Sequence, residues 1–69
     1  MEIVFTEHAK ERLKKRKISE DEIKEAIRYP DKISKKKGKY YAEKNLGRAK
    51  IEVIYEKDNY IKIITIYYL

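Results

Sequence analysis

The chain contains one histidine, and two arginines follow it at intervals of four residues: His8, Arg12 and Arg16. Side chains four residues apart lie one above the other on a helix, so a helix here places the imidazole and both guanidinium groups along one side. An imidazole, with an unperturbed pKa of about 6.5, is suited to proton transfer. Guanidinium groups bind phosphate and stabilise developing negative charge. This stripe, as we name the three residues, predicts an anion-binding or proton-transfer site.

The same three residues also have a purely structural interpretation. His8 then lies in the first helical turn with a hydrogen bond to a strand, and the arginine stems pack over Leu13. A histidine without a recognisable second catalytic group is a weak signal of catalysis. The sequence is compatible with both interpretations.

Composition limits the other kinds of site. A chain of 69 residues is one domain, and it has no cysteine, which excludes disulfides, thiolate metal sites and a cysteine nucleophile. A single histidine argues against a histidine-based metal site, so we predict no metal and no cofactor. The net charge of +6 favours phosphate-rich or acidic partners. The abundance of lysine and glutamate is also typical of thermophile surfaces, where lysines form ion-pair networks.

The cellular location is predicted from the absence of two kinds of segment in the sequence, a signal peptide and a membrane-spanning run. No signal peptide is visible at the N-terminus. The longest apolar run, residues 63–69, is far too short to span a bilayer. We therefore expect a cytoplasmic protein with no membrane association.

The stripe is positioned by a predicted strand and helix at the start of the chain. Residues 2–5 are β-branched and aromatic, as in a short strand, and Thr6 is a suitable N-cap for a helix over residues 7–17. On this helix the stripe borders the apolar edge made by Ala9 and Leu13, beside the charged solvated face. Its side chains are therefore expected to be partly covered and held in place.

A second helix is indicated by its capping residues. Ser19 and Glu22 form a capping box, and Ile18 and Ile23 form a hydrophobic staple around it. The helix should end before Pro30, because the residue preceding a proline disfavours helical backbone angles.

The second half of the chain has the pattern of strands. The strands are predicted at residues 40–44, 50–56 and 60–68. The basic segment 35–39 is predicted as a loop or a strand end. The last strand is apolar on both faces, which is typical of a central strand. The order β-α-α-β-β-β predicts an α+β fold with two helices on one face of a mostly antiparallel sheet.

Further cations and the tyrosines are candidates for nucleic-acid contact. Runs of cations like these either contact phosphates or form a solvated surface. The candidate phosphate-binding cations are Lys14, Lys15, Lys35, Lys36, Lys37, Lys39 and Arg48. Five of the seven tyrosines suit stacking on unpaired bases, namely Tyr40, Tyr41, Tyr60, Tyr67 and Tyr68. Tyrosine is also simply a good strand former, which is the favoured interpretation.

One set of positions is spread over both halves of the chain: Phe5, Thr6, His8, Ala9, Arg12, Leu13, Arg16, Ile18, Ser19, Pro30, Thr65 and Tyr67. With these residues the chain resembles a small prokaryotic family of unknown function whose members begin with a histidine–arginine helix and an Arg-Gly-Ile-Ser motif. Lys17 stands where that family usually has glycine. The family is similar in element order and size to the RelE/ParE and BrnT type toxins of toxin–antitoxin pairs.

The resemblance implies a RelE-like fold and an activity towards messenger RNA on the ribosome. RelE-type toxins use basic residues and a histidine or aromatic residue near the C-terminus, but no histidine, arginine or lysine follows Lys62 here. The catalytic residues of those toxins therefore cannot be matched one by one to residues of this chain, and any chemistry must come from His8. The resemblance makes Thr65 and Tyr67 the strand-side candidates for the same site, with Tyr67 as a helper.

These observations predict a toxin-type endoribonuclease or an RNA-binding protein of a toxin–antitoxin-like system. The expected partners are RNA or the ribosome and a small acidic antitoxin-like protein. One alternative is a non-enzymatic basic module that binds RNA or an acidic partner. Another is a structural or assembly protein, for example a homodimer formed through a strand edge.

Overall fold

A computed structural model describes all 69 residues as two helices and one five-stranded mixed sheet, so the α+β class predicted from sequence is confirmed. In chain order the elements are β1 (Ile3–Phe5), α1 (Glu7–Arg16), α2 (Glu20–Arg28), β2 (Lys32–Lys36), β3 (Lys39–Asn45), β4 (Lys50–Lys57) and β5 (Ile61–Tyr68). Neither helix has the length and apolar character needed to cross a membrane.

The sheet has the strand order β1-β5-β4-β3-β2. Only the β1–β5 pair is parallel, and the other three pairs are antiparallel. β5 therefore lies between two strands, in agreement with its apolar character on both faces.

The predicted order β-α-α-β-β-β lacks one strand and is corrected here. Residues 32–36 form β2, which pairs with β3 along its whole length. β2 has the sequence Lys-Ile-Ser-Lys-Lys with a single apolar residue, so it lacks the apolar alternation that indicates a strand. All five of its residues are exposed. Lys37 and Gly38 follow with φ angles of 52° and 79°, as a two-residue hairpin turn requires. The basic segment is thus an edge strand and a turn.

The core lies between the two helices and one face of the sheet. α1 contributes Ala9 and Leu13, and α2 contributes Ile23 and Ala26. The remaining members of this single apolar cluster are Ile18, Ala42, Ile51, Val53, Tyr55, Ile61, Ile63 and Ile66. Both helices therefore pack on the same face, as the sequence pattern predicts.

Both helices begin at the residues that the sequence indicates. The Thr6 hydroxyl accepts a hydrogen bond from the Ala9 amide at 3.1 Å, and Ser19 and Glu22 form the complete capping box. α1 ends at Lys17, whose φ of 55° and ψ of 46° are left-handed. Glycine adopts this conformation without steric cost, whereas a residue with a side chain, such as Lys17, is strained in it.

A β-bulge interrupts the pairing of β5 with β4. Tyr55 pairs with Ile63 and Ile54 pairs with Thr65, so Ile64 has no partner on β4. The extra residue changes the alternation of side chains along β5. Ile61 and Ile63 face the core before the bulge, and Ile66 and Tyr68 lie opposite core-facing residues of β4 after it.

Candidate active site on α1 and β5

His8 is held between a strand hydroxyl and a helical arginine. Its Nε2 atom lies 3.1 Å from the Thr65 hydroxyl oxygen, and the Nε of Arg12 lies 3.4 Å from the same nitrogen. Arginine only donates, so its contact requires a lone pair on Nε2 and the proton on Nδ1. The threonine hydroxyl can donate or accept, and it is therefore compatible with either ring tautomer. Thr65 is buried, whereas His8 is exposed at the surface.

The N-terminus of α1 is hydrogen-bonded to β5 next to the contact between His8 and Thr65. The Thr6 amide donates to the Ile63 carbonyl, and the Thr6 hydroxyl donates to the Ile64 carbonyl, both at 3.2 Å. The bulged segment of β5 therefore binds the N-cap of α1. This attachment brings the first turn of the helix, and His8 with it, to Thr65.

Arg16, at the other end of the stripe, contacts Tyr68 on β5. The Arg16 guanidinium carbon lies 5.3 Å from the centre of the Tyr68 ring, within the range of a cation–π contact. The Tyr68 hydroxyl donates to the Arg16 carbonyl at the end of α1. The Arg16 Nε is buried and has no hydrogen-bond partner in the protein, an uncommon state for a buried donor.

Tyr68 is a member of this site that the sequence interpretation missed, and Tyr67 lies elsewhere. The two tyrosines are similarly exposed, but Tyr67 pairs with Glu52, whereas Tyr68 pairs with the buried Ile51. Since neighbouring strand residues point to opposite faces, Tyr67 points away from the face on which Tyr68 meets α1. No sequence signal distinguishes the two tyrosines, because their phase is set by the bulge upstream.

Arg48 joins the helical hairpin to the sheet. Its guanidinium donates to the Lys17 carbonyl at 3.0 Å and to the Glu22 carboxylate at 2.8 Å. The pKa of Glu22 is lowered, chiefly by the hydrogen bond from the Ser19 amide, against the desolvation of the carboxylate, and it is lowered further by Arg48. The pKa of Arg48 is raised, chiefly by Glu22 and then by Tyr68. Arg48 therefore has protein partners at the α1–α2 turn, its side chain is 48% exposed, and its phosphate contact stays a prediction.

The other predicted cations fall into two separate groups. Lys14 and Lys15 are exposed on α1, on the same helix as the stripe. The second group, Lys35, Lys36, Lys37 and Lys39, lies on the β2–β3 hairpin. β2 and β5 are three inter-strand spacings apart, roughly 14 Å. The hairpin lysines are therefore a different surface from the stripe.

The chemistry of the α1–β5 site follows from its donors. Arg12 and Arg16 form no salt bridge with any carboxylate, so both retain uncompensated positive charge. No group of three or more histidine, aspartate or glutamate side chains has the arrangement of a metal site. The site therefore combines two free guanidinium groups with one oriented imidazole, which suits the binding of a phosphate and proton transfer beside it.

Comparison with known proteins gives a family assignment. No curated protein and no solved structure gives a significant match to the chain. The chain does match the family described as "Domain of unknown function (DUF4258)" over residues 5–68, a segment that contains the whole stripe, Thr65 and Tyr68. The protein therefore belongs to the DUF4258 family.

Proposed function

We propose that this protein is an RNA-directed, RelE-like endoribonuclease whose site is the stripe together with Thr65 and Tyr68. The observation that carries the proposal is the environment of His8. The only histidine is oriented by a buried hydroxyl 3.1 Å away, and it lies next to Arg12, a guanidinium without a carboxylate partner. An oriented base beside a free phosphate-binding group is the minimum that phosphodiester cleavage requires.

The reaction that fits this arrangement is attack by the ribose 2′-hydroxyl. His8 takes the hydroxyl proton while the 2′-oxygen forms a bond to the adjacent phosphorus. The bond from phosphorus to the 5′-oxygen breaks, and the departing oxygen takes a proton from water. The products are a 2′,3′-cyclic phosphate and a 5′-hydroxyl. Arg12 and Arg16 bind the non-bridging phosphate oxygens, on which negative charge accumulates.

Arg12 links phosphate binding to the state of His8. In the free protein its Nε–H points at Nε2 of the imidazole. When the guanidinium binds a phosphate instead, Thr65 becomes the only partner of Nε2. The Thr65 hydroxyl can accept from an Nε2–H as well as donate to Nε2, so the tautomer with a lone pair on Nδ1, which has no hydrogen-bond partner in the protein, is then available as the base. Substrate binding thus removes the contact that opposes the tautomer with a basic Nδ1.

Non-enzymatic RNA binding is the second candidate function. It is favoured by Lys14 and Lys15, which are exposed on the same helix and form no salt bridge. By helical spacing Lys15 lies beside His8 and extends the positive surface of the stripe, whereas Lys14 lies on the opposite side of α1. A phosphate contact at Lys15 requires no chemistry at His8. The same assay distinguishes the two candidates.

The test uses a single-stranded RNA labelled with a fluorophore and a quencher, and a matched strand with 2′-deoxyribose throughout. We expect cleavage of the RNA only, with cyclic phosphate ends. His8→Ala should abolish cleavage and retain binding, whereas Arg12→Ala should weaken both. Arg28→Ala, which removes an exposed arginine at the end of α2, is the matched control.

Expression in a bacterial host gives an independent measurement. The wild-type protein should arrest growth, and His8→Ala should relieve the arrest. RNA binding that depends on Arg12 without cleavage by the wild type supports the binding module instead. RNA binding equally insensitive to Arg12→Ala and Arg28→Ala contradicts a function of the stripe in either role.

A further inference from the structure

The outer edge of the sheet at β2 is open. β2 is the last strand in the sheet order and pairs only with β3. All five of its residues are exposed, so neither a helix nor a loop covers this edge. A strand at an open edge presents a row of backbone N–H and C=O groups without partners, which is a template for another strand.

The same edge carries concentrated positive charge. Lys32, Lys35 and Lys36 lie on β2, and Lys37 follows in the turn. None of these lysines forms a salt bridge. Lys35 makes a cation–π contact, with its Nζ atom 5.1 Å from the centre of the Tyr40 ring. The edge therefore combines unpaired backbone groups with ammonium groups that form no salt bridge, of which Lys32 lies opposite Glu43 on β3.

We infer that the β2 edge binds an extended acidic segment of another protein, which adds to the sheet as a sixth strand. The backbone of such a segment supplies the alternating donors and acceptors that the edge lacks, and its carboxylates pair with the lysines. This site lies at the β2 edge, three strands away from β5 and the proposed RNA site, and it goes beyond the proposed cleavage. Its existence does not depend on any activity of His8.

A second copy of this chain fits the edge poorly. Antiparallel pairing of two β2 strands centred on Ser34 places Lys32 of each copy opposite Lys36 of the other. Like charges directly opposite one another destabilise a strand pair. RNA also fits poorly, because its backbone cannot form the regular ladder of hydrogen bonds that a strand edge offers.

The side chains of β2 specify the pattern of the partner strand. Lys32, Ser34 and Lys36 lie on one face by strand alternation, and Ile33 and Lys35 lie on the face shared with Ala42 and the helices. Ile33 is 49% exposed and can be covered by an apolar neighbour. An antiparallel partner therefore has acidic residues opposite the three lysines and a branched apolar residue opposite Ile33. In its own direction the core of such a segment reads Glu-Glu-Thr-Val-Glu.

A labelled peptide with this core, titrated into the ¹⁵N-labelled full chain, tests the inference. We expect amide shifts concentrated in β2 and slower hydrogen exchange of its outward amides. The control peptide has the same charge but carries N-methyl groups on alternate amides, so it cannot form the ladder. It should bind at least about tenfold more weakly, a difference typical of losing several hydrogen bonds.

Protein variants test the charge component separately. Lys32→Glu combined with Lys36→Glu should weaken peptide binding at least about tenfold. Lys50→Glu combined with Lys57→Glu changes the net charge equally with two exposed lysines on β4, and it should have a much smaller effect. Hydrogen-exchange protection of β4 and β5 verifies that the variants remain folded.

Several results would overturn the inference. Equal binding of the methylated peptide shows charge attraction without strand addition. If the peptide instead shifts the amide resonances of α1, the acidic segment binds the stripe and not the β2 edge. A single-stranded RNA that competes for the β2 amides assigns the edge to nucleic acid, and β2 amides protected by self-association assign it to a second copy. Loss of RNA cleavage with intact peptide binding, or the reverse, separates this inference from the proposed function.

Discussion

The Nε2 atom of His8 and the hydroxyl oxygen of Thr65 lie 3.1 Å apart, although 57 positions separate the two residues in the chain. The contact joins the first turn of α1 to the bulged segment of β5. It orients the only imidazole of the protein relative to Arg12, and it sets the geometry on which the proposed cleavage depends.

Thr65→Val should reduce RNA cleavage by about tenfold while RNA binding is retained, because the ring loses the partner that orients it. Thr65→Ser keeps the hydroxyl and should cleave nearly as well as the wild type. The ¹⁵N chemical shifts of the His8 ring report the tautomer directly and do not depend on activity. Equal rates and ring shifts for the valine and serine variants would contradict a positioning role for Thr65.

Lys17→Gly should stabilise the protein by about 0.5–1 kcal/mol, because glycine occupies the left-handed end of α1 without strain. The free energy of unfolding in urea measures this difference. Lys14→Gly, within α1, is the control and should destabilise by up to about 1 kcal/mol. Destabilisation by both substitutions would show that the lysine side chain at position 17 contributes more than its backbone conformation costs.

The hydrogen bonds that the Glu22 carboxylate accepts from the Ser19 amide and from Arg48 should make stability depend on acid pH. Because the pKa of Glu22 is lowered from 4.5 in the folded protein, its contribution is fully present above pH 4.5. It is lost as the pH falls through the lower folded pKa, where the unfolded chain already binds the proton. Urea unfolding at a series of pH values should therefore show a weaker acid dependence for Glu22→Gln than for the wild type. Glu25→Gln, which removes a carboxylate without an ion pair from the same helix, controls for the change in net charge.

Ile66→Val should cost about 0.5–1.5 kcal/mol, since it removes one methylene group from a fully buried side chain next to the bulge. Ile33→Val makes the same change on the exposed edge strand and should have little effect on the free energy of unfolding. Similar losses at the two positions would contradict the assignment of Ile66 to the core.

The local features of α1 and α2 could be predicted from sequence because their signals lie within a few residues. Thr6 caps the first helix, and Ser19 with Glu22 caps the second, as the pattern indicates. The apolar positions Ala9, Leu13, Ile23 and Ala26 are buried. Helical spacing alone also indicated that the stripe residues lie along one side of α1.

The sequence by itself therefore determined the fold class, the two helices and the composition of the stripe. The tertiary structure decided what the stripe touches. The bulge at Ile64 sets the phase of the last strand, so Tyr68 and not Tyr67 meets Arg16, and Thr65 meets His8. The strand β2 is likewise defined by pairing with β3, since its lysines show no strand pattern. Helix signals are local, whereas strand pairing and register depend on residues far apart in the chain.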